Sequence, residues 1–522
     1  MIWKILPKKS NDLIEQLLFN RGIKEKEKFF NPKLLDFEKD LQIPGIEKAI
    51  KRIEEAIKNN EQIIVYGDYD VDGICGSAIL YKALSSLGAK VLPYIPHREK
   101  EGYGLSKIGL EYTRDSGASL VITVDNGIVA LEQAEFAKEL GLDLIITDHH
   151  VPLDEKPDCY SIIHSTKMCG AAVAWCLIRE IINADLRKEL LQFAAVATIC
   201  DLIPLLGLGR AFVAEGLRVL NTTTNLGLLA LINESGISLG EIGSYEVGYM
   251  IGPRLNAMGR LEHAIDSLRL LCTRDPQKAR ALAKLLGETN TARQKMTADA
   301  LTQAKVLVNI EKKIHVLMHK SWSPGIIGLI AGKITEEYYR PAIAISLGET
   351  VSKGSARSID GINIVEVIRK HADILVDVGG HPAAAGFSIL TKHVKLLKKK
   401  LEETVLDLPE EERVLEIDAA VTISNLNMQL LKQLQKFEPF GFGNPRPIFA
   451  SKGARISDIK TVGSGKHLKF KIGSVDVIGF GMGELQAILS NGQVVDLAYT
   501  PEIDNYNGFE KIQLKMKDIK MV

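Results

Sequence analysis

The feature that most constrains the fold is an alternation of short apolar strands and helices that begins near Glu61. Four apolar segments follow one another along the chain: QIIVY, KVLPYI, SLVITV and LDLIITD. Helical patterns such as ICGSAILYKALSSLG and LEQAEFAKELG lie between them. This alternation predicts a mainly parallel, doubly wound α/β sheet.

The rest of the chain predicts further domains, since 522 residues are too many for one hydrophobic core. A long amphipathic helix precedes a second, smaller α/β segment, and a β-rich segment with glycine turns then predicts a small β-barrel. The predicted domains are an N-terminal helical segment (1–58), a first α/β domain (59–272), a bridging helix (273–311), a second α/β domain (312–408) and a barrel (409–522).

The composition is that of a soluble globular protein, with 46% hydrophobic and 25% charged residues. Lysine plus arginine and aspartate plus glutamate both number 65, so any nucleic-acid partner must be met by local basic patches. Six cysteines without CxxC spacing indicate reduced thiols and a cytoplasmic location. We expect neither a signal peptide nor a membrane span.

Acidic and histidine residues follow three of the predicted strands. They are Asp68, Asp70 and Asp72 after the first strand, Asp125 after another, and Asp148, His149 and His150 after a third. The carboxyl ends of parallel strands meet at one edge of a sheet, so these groups should converge. Such a cluster needs a cation, and oxygen ligands with imidazole favour Mn²⁺ or Mg²⁺ over Zn²⁺.

The spacing of the first aspartates favours two metal ions. Alternate residues of an extended segment lie roughly 6–7 Å apart on one side, and two carboxylates so placed can each hold one of two metals about 3.5–4 Å apart, as in phosphoryl-transfer sites. For any single aspartate, a turn or a helix cap is the alternative. A calcium loop fails because Ile79 stands where a glutamate is needed. Asp201, at the end of an apolar helix, is either functional or the start of a turn.

Four motifs resemble those of the DHH phosphoesterase superfamily: DYDVDG, VDNG, DHH and ATICD. GSARS and GGHPAAAGFS resemble its associated C-terminal domain. The segments PHREKEGYGLS, GPRLNAMGR, SPGIIGLIAGKI and FEPFGFGNPRPIF are similar to the RecJ family of single-strand-specific 5′→3′ DNA exonucleases. The resemblance covers roughly residues 40–522.

The resemblance implies a set of metal ligands: Asp70, Asp72, Asp125, His149 and Asp201. Asp125 would bridge two metals, Asp70 would serve one of them, and the remaining ligands the other. His150 would face the scissile phosphate, and Asp68 and Asp148 would orient ligands by hydrogen bonds. Relatives often carry a histidine four residues before the first ligand, where this chain has Tyr66, so that metal is expected to be held less tightly.

Substrate-binding residues are expected in two glycine-rich turns of the second α/β domain and in basic motifs of the first. The turns contain Ser355, Arg357 and Ser358, together with Gly379, Gly380 and His381. Close backbone approach at glycine and bidentate arginine suit phosphate binding; ordinary turns are the alternative. The resemblance adds Arg98 and Arg254, with Asn256 and Arg260 as weaker candidates, to grip the 5′ phosphate and first nucleotides.

In the barrel, the basic segment from Arg446 to Lys471 carries interleaved aromatic residues, namely Phe449, His467 and Phe470. Basic strands with aromatic platforms are typical of oligonucleotide-binding folds. The alternative is a solvated charged face whose aromatics belong to the core.

The resemblance implies a cytoplasmic exonuclease with two divalent metals, Mn²⁺ before Mg²⁺, that degrades single-stranded DNA 5′→3′ to 5′-mononucleotides in repair and recombination. It would act as a monomer, away from membranes, with a helicase and a single-strand-binding protein. One alternative is a related phosphoesterase acting on short oligoribonucleotides, cyclic dinucleotides or phosphoadenosine phosphate, but these relatives lack the barrel. A non-catalytic RecJ-like DNA-binding scaffold is the other, although such scaffolds have lost ligand acids.

Overall fold

The structure is a computed structural model that describes residues 1–405, 412–504 and 508–522. The chain divides by its contacts into two compact units. The barrel unit consists of Met1–Lys39, Leu202–Glu215 and Arg413–Val522, and the α/β unit consists of Asp40–Asp201 and Gly216–Glu412. The limits of the five predicted domains stay a prediction, since this division is coarser.

The described strands, in chain order, are β1 (Ile2–Ile5), β2 (Gln62–Tyr66), β3 (Lys90–Tyr94), β4 (Ala118–Thr123), β5 (Asp143–Asp148), β6 (Ser161–His164), β7 (His315–His319), β8 (Ala342–Ser346), β9 (Val351–Arg357), β10 (Leu375–His381), β11 (Ala384–Leu390), β12 (Val414–Ile417), β13 (Ala419–Ala420), β14 (Phe449–Val462), β15 (His467–Ile472), β16 (Val475–Gly479), β17 (Val494–Asp504) and β18 (Lys511–Met521).

The described α-helices are α1 (Leu13–Asn20), α2 (Lys26–Phe30), α3 (Glu38–Leu41), α4 (Ile46–Lys58), α5 (Val71–Ser86), α6 (Lys107–Asp115), α7 (Leu131–Glu139), α8 (Gly170–Ile178), α9 (Ala184–Cys200), α10 (Gly207–Leu220), α11 (Leu226–Glu234), α12 (Ser244–Glu246), α13 (Gly252–Leu261), α14 (Ile265–Cys272), α15 (Pro276–Leu307), α16 (Ile327–Tyr338), α17 (Ile364–Arg369), α18 (Val394–Thr404) and α19 (Met428–Gln435). A π-helical turn, Val247–Ile251, joins α12 to α13. None of these helices combines the length and apolar character needed to cross a bilayer.

The first sheet of the α/β unit has five parallel strands in the order β3-β2-β4-β5-β6. Its strands are apolar on both faces, as helices on both sides of a parallel sheet require. Helices α6 and α7 cover one face through Leu110, Ala134 and Ala137, while α5 packs against α8 and α9 and contacts β2 and β3. The predicted doubly wound fold is confirmed.

The long helix α15 begins where Asp275 caps it by accepting hydrogen bonds from the backbone N–H groups of Gln277 and Lys278. Its 32 residues span about 48 Å at 1.5 Å per residue. Its first half packs on α11, α13 and α14, and near its end Ala300 and Ala304 join a core with Trp322 of the second α/β segment. The helix therefore belongs to both cores of this unit.

The second sheet has the order β10-β11-β9-β8-β7, in which only the β7–β8 pair is parallel. The prediction that GSARS and GGH form turns is wrong, because Gly354–Arg357 lie in β9, directly before Ser358, and Gly379–His381 end β10. Small residues allow this strand packing: a Cβ on Gly354 would stand 2.1 Å from the Phe387 ring. The pairing aligns Arg357, Ala384 and His381 in one row across the sheet.

The barrel unit contains a sheet in the order β13-β14-β15-β16-β18-β17, which the β14–β17 pairing closes into a ring. Phe449 and Phe470 are fully buried in its core. The prediction that they form part of a nucleic-acid platform is therefore wrong, since alternate residues of a barrel strand point inward. Lys469 and Lys471 form ion pairs with Asp476 and Asp458.

The N-terminal segment differs from the predicted set of short helices. Residues Ile2–Ile5 form a strand that pairs in parallel with Val414–Ile417. This pairing joins residues about 400 positions apart, so no local pattern announces it. In the same unit, the buried guanidinium of Arg210 donates to the backbone carbonyls of Phe29, Phe437 and Glu438, and burial lowers its pKa to about 10.

Candidate active site

The carboxyl edge of the first sheet brings the acidic motifs together. In chain order, β2 is the first strand of this sheet, and it lies between β3 and β4. The chain continues from β2 to β3 on one side and returns to β4 on the other side. This change of direction leaves a crevice between the carboxyl ends of β2 and β4. Ligands of open α/β sheets bind at such a crevice. The chain passes from β2 to Asp68, Asp70 and Asp72, and from β4 to Asp125, at this point.

The His149 imidazole lies at the centre of one group of possible ligands. Its Nε2 is 3.1 Å from Oδ1 of Asp125 and 3.5 Å from Oδ2 of both Asp72 and Asp201. The buried Nε2 and the buried Asp125 Oδ1 form no hydrogen bond within the described structure. Burial also lowers the pKa of His149, which favours the neutral imidazole that metals bind.

A second group consists of Asp68, Asp70 and Asp125, whose ligand atoms lie within 4.8 Å of one another. Asp125 therefore belongs to both groups, as a bridging carboxylate would. Asp68, which the resemblance makes only a supporting residue, thus lies among the possible ligand atoms themselves. Its buried Oδ1 has no hydrogen-bond partner among the described residues, so Asp68 can be a ligand as well as a supporting residue.

Like charges in this cluster repel one another. Burial raises the pKa of Asp72 and Asp125, and the charge of Asp70 adds to the effect. Burial together with Asp72 and Asp70 raises the pKa of Asp201 to about 9. A divalent cation would remove this repulsion and satisfy the unpaired oxygen and nitrogen atoms. The donor set therefore fits the metals that the sequence predicts.

Two helix N-termini hold the acids in place. Asp70 caps α5, and its Oδ1 accepts hydrogen bonds from the backbone N–H groups of Asp72 and Gly73. The Asp72 carboxylate accepts from the backbone N–H groups of Gly170 at 2.6 Å and Ala171 at 2.7 Å, at the start of α8. Helix N-termini favour negative charge. Asp70 is thus a helix cap through Oδ1, and its Oδ2 is not used by the cap.

His150 is held by Asp148. Its Nδ1 donates to Asp148 Oδ1 at 2.7 Å, and that carboxylate also accepts from the backbone N–H groups of His149, His150 and Ile128. Burial opposes ionisation of Asp148, but these hydrogen bonds outweigh it and its pKa is lowered. Burial likewise lowers the pKa of His150, but the Asp148 hydrogen bond outweighs this effect and the net shift is upward.

Four arginines lie beside the carboxylates and affect one another electrostatically: Arg98, Arg260, Arg293 and Arg357. Burial lowers the pKa of Arg260 to about 10, and the other three charges contribute. None of the four forms a salt bridge with a residue in the described part of the chain. An arginine cluster without carboxylate partners is suited to phosphate.

The chain is similar to known proteins over nearly its whole length. Models of the DHH family N-terminal domain, the DHHA1 domain and the RecJ OB domain match residues 62–198, 311–407 and 417–518. The single-stranded-DNA-specific exonuclease RecJ of Bacillus subtilis is 36% identical over 97% of this chain and 67% of its own length. The chain belongs to the RecJ family.

Further RecJ proteins agree with this assignment. RecJ of Thermus thermophilus is 34% identical over 90% of this chain and 69% of its own length. The crystal structure of a Thermus thermophilus RecJ in complex with Mn²⁺ superposes with a TM-score of 0.89 and 30% identity, over all of this chain and 80% of that one. A second structure of that RecJ, in complex with Mg²⁺, has a TM-score of 0.82.

Tyr66, the last residue of β2, packs in the hydrophobic core on one face of the first sheet. It is fully buried, its hydroxyl contacts the Ser106 hydroxyl at 3.3 Å and accepts from the Ser106 backbone N–H, and its ring packs on Tyr94. A Cβ on Gly109 would stand 2.3 Å from that hydroxyl. Packing and hydrogen bonds within this core thus hold the Tyr66 phenol. The expectation that one metal is held less tightly stays a prediction.

The remaining predicted substrate residues have varied surroundings. The Arg254 Nη1 donates to the Met250 carbonyl, while its buried Nε has no partner in the described structure. Asn256 Oδ1 accepts from the Val71 backbone N–H. Ser355 Oγ accepts from Arg357, whereas Ser358 donates to the Ile362 carbonyl and is directed away from that pair.

Gly380 and His381 are exposed at the end of β10. At Gly380 the backbone has φ +141°, and a Cβ would stand 2.3 Å from the Ala384 carbonyl, so glycine is required there. The sequence suggested that glycine here lets a ligand approach the backbone. In the structure, the pairing of β10 with β11 itself requires glycine at this position.

Sequence reasoning missed two side chains of this site. Arg293 lies in the middle of α15, where a helical pattern without a motif gave no signal. Tyr103 lies in the segment PHREKEGYGLS, whose resemblance to the RecJ family does not by itself single out the tyrosine. Its hydroxyl donates to the Asp125 carbonyl at 2.5 Å and lies 3.1 Å from His150 Nε2.

Proposed function

We propose that this protein is a metal-dependent exonuclease specific for single-stranded DNA, which works 5′→3′ and releases 5′-mononucleotides. The observation that carries the proposal is the placement of Asp125 in two groups of possible metal ligands directly beside a cluster of arginines that form no salt bridge with any described residue. The membership of the chain in a family whose relatives are named single-stranded-DNA-specific exonucleases supports it.

The proposed metal ligands are Asp70, Asp72, Asp125, His149 and Asp201, with Asp68 as an additional candidate. Asp72, His149 and Asp201 would hold one Mn²⁺ or Mg²⁺, Asp70 the other, and Asp125 both. When bound, two such cations supply Lewis-acid stabilisation of the charge that develops on a phosphodiester during hydrolysis.

The proposed role of His150 is to meet the scissile phosphate. Asp148 accepts a hydrogen bond from Nδ1 and thereby fixes the ring, while Nε2 has no partner among the described residues besides the Tyr103 hydroxyl, which lies close to both ring nitrogens. An imidazole so held can donate a hydrogen bond to a phosphate oxygen when it is protonated, and Asp148 favours that form. Asp68 and Asp148 orient the groups around them.

The proposed 5′ polarity rests on the arginines. A terminal phosphate carries more charge than an internal one, and Arg98, Arg260 and Arg357 with the Ser355 hydroxyl offer several donors, since none of these arginines forms a salt bridge within the described part of the chain. Arg254, Asn256, Ser358, Gly380 and His381 are proposed to line the path of the first nucleotides. A chain anchored by its 5′ phosphate would be cut one nucleotide at a time.

The proposed setting of this activity is DNA repair and recombination in the cytoplasm, where six free cysteines would stay reduced. We propose that the protein acts as a monomer on strands that a helicase exposes and a single-strand-binding protein covers. Light scattering checks the first point, because a stable dimer would double the mass of 57.4 kDa.

Labelled DNA tests the activity. Single-stranded and blunt duplex oligonucleotides with 5′ or 3′ labels are incubated with Mn²⁺ and either wild-type protein or the Asp125→Ala variant. We expect early release of labelled mononucleotide only from 5′-labelled single strands, and no product with the variant. Degradation from the 3′ end or equal cutting of duplex would overturn the polarity or the strand preference, and an active variant would overturn the metal site.

A further inference from the structure

Two exposed tyrosines stack on each other on the helix that borders the candidate active site. The ring centroids of Tyr245 and Tyr249 are 5.0 Å apart at an interplanar angle of 28°, and these residues are 59% and 71% exposed. Large aromatic surface left in water by a folded chain is often a binding surface. The active-site contacts described above do not involve either ring.

The helix that carries the tyrosines is anchored next to a proposed metal ligand. The segment from α12 through the π-helical turn to α13 is continuous, and such turns are frequent at functional sites. A Cβ on Gly252 would stand 2.4 Å from Cys200 Sγ, and one on Gly248 would stand 3.7 Å from Ile199 Cγ2. The turn therefore lies directly on the end of α9, which Asp201 follows.

Further along, the same helix passes the other parts of the site. Asn256 accepts from the backbone N–H of Val71, between the two motif aspartates, and Gly259 packs against the Tyr69 carbonyl. Arg260 belongs to the arginine cluster. At 1.5 Å per residue, Asn256 lies about 10 Å and Arg260 about 16 Å along the axis from Tyr249.

Two pairs of these residues each share a side of the helix. Tyr245 and Tyr249 stack on each other across the start of the π-helical turn, and Asn256 and Arg260, four residues apart, lie on one side of α13. Each of the four is exposed or only partly buried. Along this continuous segment the stacked rings therefore lie at one end, the contact with the carboxylate motif at its middle and the arginine cluster at the other end.

We propose that Tyr245 and Tyr249 form a base-stacking platform for single-stranded DNA on the 3′ side of the bond to be cut. The inference rests on the proposed function. A strand whose 5′ phosphate meets the arginines and whose first bond meets the carboxylates continues toward the tyrosines. Stacking on aromatic rings tolerates every base, as degradation of strands of any sequence requires, and tyrosine loses little conformational entropy when a base covers it.

Fluorescence of a base analogue tests the platform. Oligonucleotides with a 5′ phosphate and 2-aminopurine at successive positions are bound in Mn²⁺ to the His150→Ala protein, which retains all proposed metal ligands and should hydrolyse DNA more slowly. We expect quenching to peak at one or two adjacent positions several nucleotides from the 5′ end. The added Tyr245→Ala and Tyr249→Ala changes should abolish that peak and weaken binding about 10-fold, and two phenylalanines should restore both.

A change in the DNA provides a test that does not depend on the folding of a variant. Abasic nucleotides at the quenched positions should weaken binding to the protein with both tyrosines about as much as the two alanines do, and should not weaken it further once the alanines are present. The exposed Tyr112, replaced by alanine, is the matched control and should leave the peak in place.

Two results would overturn the platform: an unchanged quenching peak in the double-alanine protein, or abasic effects that add fully to those of the alanines. Either would indicate that the tyrosines contact another partner or only solvent. A wild-type protein that fails to degrade single-stranded DNA in Mn²⁺ would instead overturn the proposed function. Hydrolysis by wild type with an unchanged peak would reject the platform alone.

Discussion

At the scale of single residues, the site combines side chains that are firmly positioned with polar atoms that have no partner. Asp125 adopts φ +62°, which aspartate tolerates better than most residues, and its backbone carbonyl accepts from Tyr103. Its Oδ1 nevertheless has no hydrogen bond to any residue that the structure describes. A buried carboxylate of this kind destabilises the metal-free fold and stabilises the metal-bound one.

The Asp125→Asn change should therefore stabilise the metal-free protein and weaken metal binding. Because the amide removes one of several repelling charges, the metal-free variant should melt about 1–2 °C above wild type, the shift that about 1 kcal/mol produces in a unit of this size. The stabilisation that Mn²⁺ gives wild type should disappear. Calorimetry with EDTA and with Mn²⁺ measures both, and Asp154→Asn, at an exposed position, is the control. A lower melting temperature in EDTA would contradict the repulsion argument.

Tyr103→Phe should slow the reaction without preventing metal binding. The change removes a hydroxyl that contacts the Asp125 carbonyl and the His150 ring, a loss of about 1 kcal/mol, or roughly 5-fold, in kcat if the ring is positioned by that contact. Steady-state kinetics should show a smaller kcat with little change in KM and an unchanged Mn²⁺ affinity. Tyr112→Phe on the exposed surface should match wild type, and an equal effect of both changes would argue against positioning.

At the scale of elements, the ends of strands and helices do most of the positioning. The parallel strands end together at one edge, and the N-termini of α5 and α8 present backbone N–H groups to Asp70 and Asp72. The helix α8 begins at Gly170, where a side chain would collide with Asp125, since a Cβ there would stand 2.7 Å from the Asp125 Cβ. A close approach of two backbones is thus part of the site.

Gly170→Ala should consequently weaken metal binding although it changes no ligand. The added methyl must displace either Asp125 or the start of α8, which holds Asp72, so we expect Mn²⁺ affinity to fall at least about 10-fold, as for loss of supporting contacts in metal sites. Isothermal titration with Mn²⁺ measures it. Gly332→Ala, in α16, where the Cβ would make an ordinary contact at 3.9 Å, should bind normally. Wild-type affinity in Gly170→Ala would show that the close approach is not needed.

At the scale of the whole molecule, parts of the chain far apart in sequence build the arginine cluster. Arg98 and Arg260 come from the first α/β segment, Arg293 from the long helix and Arg357 from the second sheet. The backbones of two of these parts touch, since a Cβ on Gly325 would stand 2.0 Å from the Arg260 carbonyl. The α/β unit thus forms the cluster only when its two segments are assembled.

Arg293→Gln should reduce the preference for a 5′ phosphate. Loss of one charge from the cluster should lower the ratio of activity on 5′-phosphorylated over 5′-hydroxyl single strands about 10-fold, and should reduce the salt dependence of binding by about one phosphate contact. Arg280→Gln, at an exposed position of the same helix, provides the control. An unchanged ratio would place Arg293 outside the phosphate-binding cluster.

The local sequence determined the elements and the chemistry of this protein. Period-2 and period-3.6 patterns specify strands and helices because each must bury an apolar face, and the doubly wound sheet that they predict places the acids at its carboxyl edge. Motif resemblance supplies the proposed roles of Asp70, Asp125 and His149. These features depend on neighbours in the chain or on the general topology of parallel sheets.

Only the tertiary structure decided which groups meet across long stretches of chain. The sharing of Asp125 between two ligand groups, the support of Asp72 by Gly170, the entry of Arg293 into the arginine cluster and the strand conformation of GSARS all depend on contacts between residues distant in sequence. The same holds for the pairing of β1 with β12 and for the burial of Phe449. Such contacts are selected by packing and by the balance of charge in a buried space, and a local pattern contains no information about either.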